Sequence, residues 1–289
     1  MVLLVSALGG RFVLNQIFTS EASAEVPEVA EVAQPQQRAQ NETQPIDELE
    51  VIPVSTEDDI QEVINAQAAA IPGDVSIVVA AIDGSFRSEV NPGEQYNAAS
   101  LYKTLAAYKV LQRVDAGQLS LDQQTSAGTS VERCIELAIT VSDNPCGIVL
   151  QKLAQPFVTD GEAASWGYTQ TTLSGIYPQT SARDQDSLLR DIYTGNRLSE
   201  SSKNLLLQHL SNQEIMDRMP AYEGATVYSK TGDLEGVVHS TAIIELSESV
   251  YTISILTDNW SDGILSKYSA IEDIHGEVYK VITQNERAQ

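Results

Sequence analysis

Basic residues are few. The chain carries 17 Lys and Arg against 40 Asp and Glu, a formal net charge of −23 over 289 residues. Such a surface repels a phosphate backbone, so nucleic acid is not an expected partner, and the acidity is read as serving solubility. Histidine is scarce as well. His209, His239 and His275 are the only three, and no two of them share a helical or zinc-like spacing, so no metal centre is expected. No Gly-x-x-x-x-Gly-Lys phosphate loop occurs, and no cofactor is expected. Cysteine is limited to Cys134 and Cys146. In a cytosolic enzyme such a pair is usually two buried thiols, and in an exported protein usually a disulfide. Internal repeats are absent. Hydrophobic residues make up 42 %, enough for a sizeable core.

The N-terminus bears on the compartment. Val2 to Phe18 is mostly apolar, a run of about seventeen residues at the short limit for a membrane span. Arg11 interrupts it, at about 2.5–3.5 kcal/mol for a central position. No positive charge precedes Arg11, but Ala22-Ser23-Ala24 resembles a small-residue cleavage site. Residues 1–24 are therefore expected to be an export signal or membrane anchor, which would place the protein outside the cytoplasm, secreted or attached to a membrane. Residues 25–54 are rich in Glu, Gln, Pro, Ala and Val, with no aromatic residue. Such a segment buries too little surface to offset its ordering entropy, so an acidic, disordered linker is expected.

The folded part spans 55–289. Thr56 precedes Glu57, Asp58 and Asp59, charges that a helix start favours, and Ile60, Val63, Ile64 and Ala68 give an apolar face. Pro72-Gly73 breaks that helix. Val75 to Ile82 reads as a buried strand, Asp83-Gly84 as a turn and Phe86 to Val90 as a returning strand. A helix opened by Ser100 carries Leu101, Leu105, Tyr108, Leu111 and Val114. Thr129 to Glu132 reads as a capping box, Ser142 to Pro145 as a turn, and Ser181 and Ser199 as further caps. Thr159 to Gln179 reads as polar and irregular. Beyond it the period changes: Thr226 to Gly232, Val237 to Leu246 and Val250 to Asp258 are expected strands, followed by an amphipathic helix from Ile264 to Ile282. Strands at both ends and helices between them predict an α+β domain, an antiparallel sheet flanked by helices with an inserted all-α subdomain.

Three short motifs stand in this framework. Ser100 and Lys103 lie three apart and would share a helix face, a serine beside a base. Ser142-Asp143-Asn144 falls in a turn between helices, and Lys230-Thr231-Gly232 on a strand. Singly these are most often a solvated pair, a capping turn and a strand end. Together, in this order and context, they resemble the signature of class A β-lactamases and penicillin-binding proteins. The resemblance covers about residues 56–289. It implies a β-lactamase/transpeptidase-like fold and a serine hydrolase acylated by β-lactams, hydrolysing the β-lactam amide.

The resemblance also implies roles. Ser100 would be the nucleophile and Lys103 would hold its proton. Ser142 would relay a proton to the leaving nitrogen, and Asn144 would bind the substrate amide. Lys230 would keep the site electropositive, and Thr231 would bind the substrate carboxylate. The N–H groups of Ser100 and Asp233, the latter just after Gly232, would form an oxyanion hole. Expected partners are a β-lactam or a cell-wall peptide. Two features depart from the family. The Glu-x-x-Leu-Asn segment that supplies the deacylating base is missing between 145 and 225, so the loop looks shortened and release of the acyl group lacks its usual base. His239 stands where many relatives carry an arginine; it would support the substrate carboxylate only when protonated, or else be a satisfied strand histidine. A D,D-peptidase-like enzyme and a non-catalytic penicillin-binding module are the alternatives. With an exported protein, a Cys134–Cys146 bridge would pin the Ser142 turn; otherwise the pair would be two thiols.

Overall fold

The computed structural model describes residues 56–155 and 160–288. The expected leader and linker, residues 1–54, lie outside the described residues. Among the described residues no helix is long and apolar enough to cross a membrane.

In chain order the elements are α1 (Thr56–Ala70), β1 (Asp74–Ala81), β2 (Arg87–Val90), β3 (Tyr96–Asn97), a 3₁₀ turn (Ala99–Leu101), α2 (Tyr102–Asp115), α3 (Val131–Thr140), α4 (Asn144–Ala154), α5 (Asp160–Ser165), β4 (Gln179–Thr180), α6 (Ala182–Thr194), α7 (Glu200–Ser211), β5 (Thr226–Leu234), β6 (Val237–Glu245), β7 (Val250–Asp258) and α8 (Ile264–Ala288). The main sheet runs β2-β1-β7-β6-β5, antiparallel at every pairing, and so joins the two ends of the domain at the β1–β7 ladder. This is the mixed architecture the element order predicts, with α2 to α7 inserted between early and late strands.

Side-chain alternation along β1 shows why the sheet is covered on both faces. Ile77 and Val79 join Ile60, Ile64, Ile253, Ile255, Ile271 and Ile274 in the core under α1 and α8. Val78 points the other way, to Tyr96, Leu101, Ala182 and Leu256. Leu101 thereby anchors the turn that carries Ser100 to the sheet. A third cluster fills the helical part, with Leu105, Tyr108, Leu111, Ile135, Ile139, Leu150 and Leu206. Each such fully buried aliphatic side chain contributes about 1.5–3 kcal/mol.

Several expectations need adjusting. Ser100 does not open an α-helix but sits in the middle of the 3₁₀ turn, one tight turn before α2. The cap of α3 is Ser130, whose hydroxyl accepts the Arg133 N–H at 3.2 Å, not Thr129. The Thr129 carbonyl is already held by the Thr125 N–H and hydroxyl in the preceding turn, at 2.9 and 2.8 Å. The stretch read as irregular contains α5 and the two-residue strand β4, too short to show a period. β5 does not stop at Gly232 but pairs with β6 through Leu234. Asp143, Ser181 and Ser199 cap α4, α6 and α7 through the N–H groups of Cys146, Asp184 and Ser202.

Candidate active site

Local sequence shapes the turn before Ser100. The Asn97 side chain accepts the Ala99 N–H at 3.1 Å, and the Ala98 N–H donates to the Pro178 carbonyl at 2.8 Å. Ala99 is thereby held at φ 43°, a left-handed conformation that a residue with a Cβ adopts at a cost of about 1–3 kcal/mol. Gly232 lies directly behind. A Cβ there would stand 3.1 Å from both the Ser100 nitrogen and the Ala99 Cβ, so a side chain would push strand and turn apart by a few tenths of an ångström.

Lys103 follows one helical step after Ser100 and has no solvent exposure. Its Nζ lies 3.0 Å from Ser100 Oγ, 2.6 Å from the Ser142 carbonyl oxygen, 3.1 Å from Ser142 Oγ and 2.8 Å from Asn144 Oδ1. Burial lowers its pKa from 10.5 to about 8, against the opposing pull of Asp143. Ser142 is itself held at φ 58°, which turns its carbonyl towards that amine. The turn is fixed on both sides: the Asp143 N–H donates to the Leu137 carbonyl at 3.0 Å, and Asp143 caps α4. A disulfide joins Cys134 on α3 to Cys146 on α4, with Cα atoms 4.7 Å apart.

Lys230 on β5 completes the group. It is fully buried and donates to Ser142 Oγ at 3.1 Å and to the Thr231 carbonyl at 2.7 Å. Burial first, then the charges of Lys103 and Arg218, hold its pKa well below the usual lysine value. The Ser142 hydroxyl thus bridges two amines. Thr231 is almost fully buried, and Asp233, two residues on along the same strand, is 36 % exposed.

Ser100, Asn144 and Asp233 line one cavity of about 250 Å³, together with Tyr102, Ile176, Tyr177 and Leu234. A larger groove of about 580 Å³ runs between α1 and α8, but none of its lining residues is a serine, cysteine or lysine. The loop that brings Ile176 and Tyr177 to the first cavity is pinned at its base. Asp184 accepts the Gln170 N–H at 2.7 Å and the Thr171 hydroxyl at 2.8 Å, and the Gln151 side chain donates to the Leu173 carbonyl at 2.8 Å. Its tip carries apolar side chains into solvent, Ile176 at 88 % and Tyr177 at 67 % exposure. Glu162, the acid nearest in sequence to this loop, is turned to Lys109 at 2.5 Å.

His239 does not join the cavity. It is fully buried; its Nε2–H donates to the Asn97 carbonyl at 2.8 Å, which leaves Nδ1 to accept the Thr257 N–H at 3.1 Å. Burial takes its pKa down to about 4, so the expected role as a protonated carboxylate partner is corrected to that of a neutral strut under the nucleophile turn. Sequence reasoning does not single out Arg218, which sits in an aperiodic stretch before β5. Its guanidinium is buried, forms a two-pronged pair with Asp233 at 2.6 and 2.8 Å, and stacks 4.1 Å from the Tyr268 ring. The one available signal is an arginine in a stretch otherwise without positive charge, from Asn204 to Ser229.

Similarity to known proteins lies in the fold and the family. No curated protein matches the chain. Among solved structures, a beta-lactamase from Sphaerobacter thermophilus DSM 20745 is similar at 22 % identity and a TM-score of 0.70, over 78 % of this chain and 97 % of that one. PBP-A is similar at 20 % and 0.72, over 78 % and 96 %. A beta-lactamase from Xanthomonas campestris pv. campestris str. ATCC 33913 is similar at 18 % and 0.69, over 79 % and 99 %. At these identities the likeness is one of fold. The profile of the beta-lactamase enzyme family matches residues 55–282, most of the chain, and the protein belongs to that family.

Proposed function

We propose that the protein is a serine hydrolase in which Ser100 attacks the carbonyl of a β-lactam and forms an acyl-enzyme that is slow to hydrolyse. The observation that carries this reading is the Lys103 amine 3.0 Å from Ser100 Oγ, with the Ser142 carbonyl and Asn144 Oδ1 as its two acceptor-only neighbours. A neutral amine has two N–H groups, and those acceptors claim both. Its lone pair is left for a hydroxyl proton, so the neutral form is already oriented as a base. As the Ser100 Oγ–carbon bond forms, the proton passes to Lys103. It reaches the departing amide nitrogen through Ser142, whose hydroxyl is 3.1 Å from each lysine. The Ser100 and Asp233 N–H groups are assigned to the oxyanion, an arrangement in which each donor is typically worth about 10²–10³ in rate.

Release is a different matter. Among the described residues, Asp233 is the only carboxylate lining the Ser100 cavity, and Arg218 holds both of its oxygens. With both oxygens engaged by Arg218, Asp233 is poorly placed to take a proton from water, and among the described residues the loop brings no other carboxylate to the cavity. Two similar folds give the reading context: PBP-A, and a mutant of it captured as an acyl-enzyme complex with penicillin G. The remaining parts of the reading are an exported location and the alternatives of a cell-wall D,D-peptidase or a penicillin-binding module without turnover.

Intact-mass analysis after mixing with penicillin G tests the proposal. An adduct on Ser100 that persists for minutes or longer is expected, and Ser100→Ala should abolish it while keeping the fold. An adduct that decays within seconds would restore an efficient β-lactamase; a folded protein that takes no adduct would remove the nucleophile assignment. Hydrolysis of a stem peptide separates the peptidase from the binder.

A further inference from the structure

Asp233 and Thr231 lie two apart on β5 and so face the same way, and Asp233 lines the cavity that holds Ser100. Behind Asp233 stands Arg218, fully removed from solvent. A guanidinium has five N–H donors, and all five are taken. Nε–H donates to Asp217 Oδ1 at 3.1 Å. The first terminal nitrogen, Nη1, donates to Asp233 at 2.6 Å and to the His239 carbonyl at 3.3 Å. The second, Nη2, donates to Asp233 at 2.8 Å and to Asp217 at 3.0 Å. One arginine against two aspartates gives the trio a formal charge of 1 − 2 = −1. The other cation on this wall, Lys230, is turned to Ser142 and the Thr231 carbonyl. A carboxylate on an incoming substrate would meet Asp233, not a free guanidinium. Apolar side chains also line this cavity: Ile176 and Tyr177 from the loop before β4 and Leu234 next to Asp233 on β5, 88, 67 and 46 % exposed.

We propose that Asp233 is a specificity-determining residue: by occupying Arg218 it fills the position of a substrate carboxylate, and the site selects acyl donors whose group next to the scissile amide is uncharged, such as an ester or an amide. The proposal rests on the reading that Ser100 is acylated, and it narrows the class of substrate. Displacing Asp233 would break a two-pronged charge-assisted pair and leave its carboxylate against the newcomer's, so an anionic donor is disfavoured twice.

Benzylpenicillin and its methyl ester differ in that charge and in one methyl group. For the native protein, the methyl ester should label Ser100 at a second-order rate at least equal to that of the free acid, read by intact mass against time. For Asp233→Asn, the ratio of the free-acid rate to the ester rate should rise about 10-fold over its native value, a ratio from which any general effect of the substitution on acylation cancels. A native protein labelled about 10-fold faster by the free acid would overturn the proposal even if the variant proved unstable, since that comparison needs no substitution. Equal gains for both compounds in Asp233→Asn would overturn it too. Labelling by neither compound would instead remove the acylation reading, and the selectivity with it.

Discussion

The amine of Lys103 lies 3.0 Å from the hydroxyl of Ser100, and no part of the lysine reaches solvent. Burial is what makes that contact reactive. With its pKa brought down to about 8, about a tenth of Lys103 is neutral at pH 7, against about 0.03 % for an unperturbed lysine. The neutral form is the base, so acylation of Ser100 should rise with pH and level off above about 8. Lys103→Arg removes the lone pair at every pH and should slow labelling by about 10²-fold or more. Time courses of adduct formation across this range check both points; a flat profile for the native protein would exclude Lys103 as the base.

Gly232 tests the placement of the nucleophile rather than its chemistry. A Cβ at this position would press on the Ser100 nitrogen and the Ala99 Cβ, both at 3.1 Å. The turn is already held at a left-handed Ala99 and has little freedom to retreat. Gly232→Ala should therefore slow acylation by about 10-fold or more, through displaced donors and nucleophile, with a loss of stability of only about 1–3 kcal/mol. A variant that is labelled at the native rate would show that the turn yields easily.

The parts of this site that were legible in the sequence are those written in local chemistry. Ser100 and Lys103 are one helical step apart, Pro145 follows a capping aspartate, and β5 to β7 alternate. Each is decided within a few residues, and the order of the three motifs supplied the rest. Arg218 and His239 were not legible for the opposite reason. The role of Arg218 depends on Asp233 fifteen positions later and on the Tyr268 ring from α8. His239 looked able to face a substrate because strand alternation leaves either face open; what settles it is the Asn97 carbonyl, 142 positions earlier in the chain. The capping residue of α3 moved by one because the five-residue turn from Thr125 to Thr129 had already claimed the Thr129 carbonyl.

Buried imidazoles give the fold a weakness towards acid. His239 and His275 are both without solvent exposure, with pKa values lowered by burial to about 4 and about 3. His275 joins the Tyr222 hydroxyl at 2.7 Å and the Ser240 hydroxyl at 2.8 Å. Both bind protons more readily in the unfolded chain, so their contribution is complete above about pH 6.5 and falls as the pH drops towards the folded values. At pH 5 each should cost about 2 kcal/mol. Relief of carboxylate repulsion in a chain of net charge −23 acts in the other direction, so the informative quantity is a difference. His275→Gln should lower stability at pH 8 but show a shallower loss between pH 7 and 5 than the native protein, measured by urea unfolding. Parallel pH dependences would exclude a contribution from His275.

The Cys134–Cys146 disulfide ties stability to catalysis, because the loop it closes contains Ser142 and Asn144. Closing a loop of this size is worth about 3 kcal/mol in the chain-entropy account. Reduction with a phosphine, or the double change Cys134→Ala and Cys146→Ala, should therefore lower the melting temperature. The effect on rate follows from the strained φ of Ser142: with α3 and α4 no longer clamped, the turn relaxes, and its carbonyl and hydroxyl leave Lys103. Acylation should then slow even at temperatures where the reduced protein is still folded. Measuring labelling and circular dichroism together separates the two effects. A reduced protein that melts earlier but is acylated at the native rate would confine the bridge to stability, leaving the Asp143 cap and the Leu137 carbonyl sufficient to hold the turn.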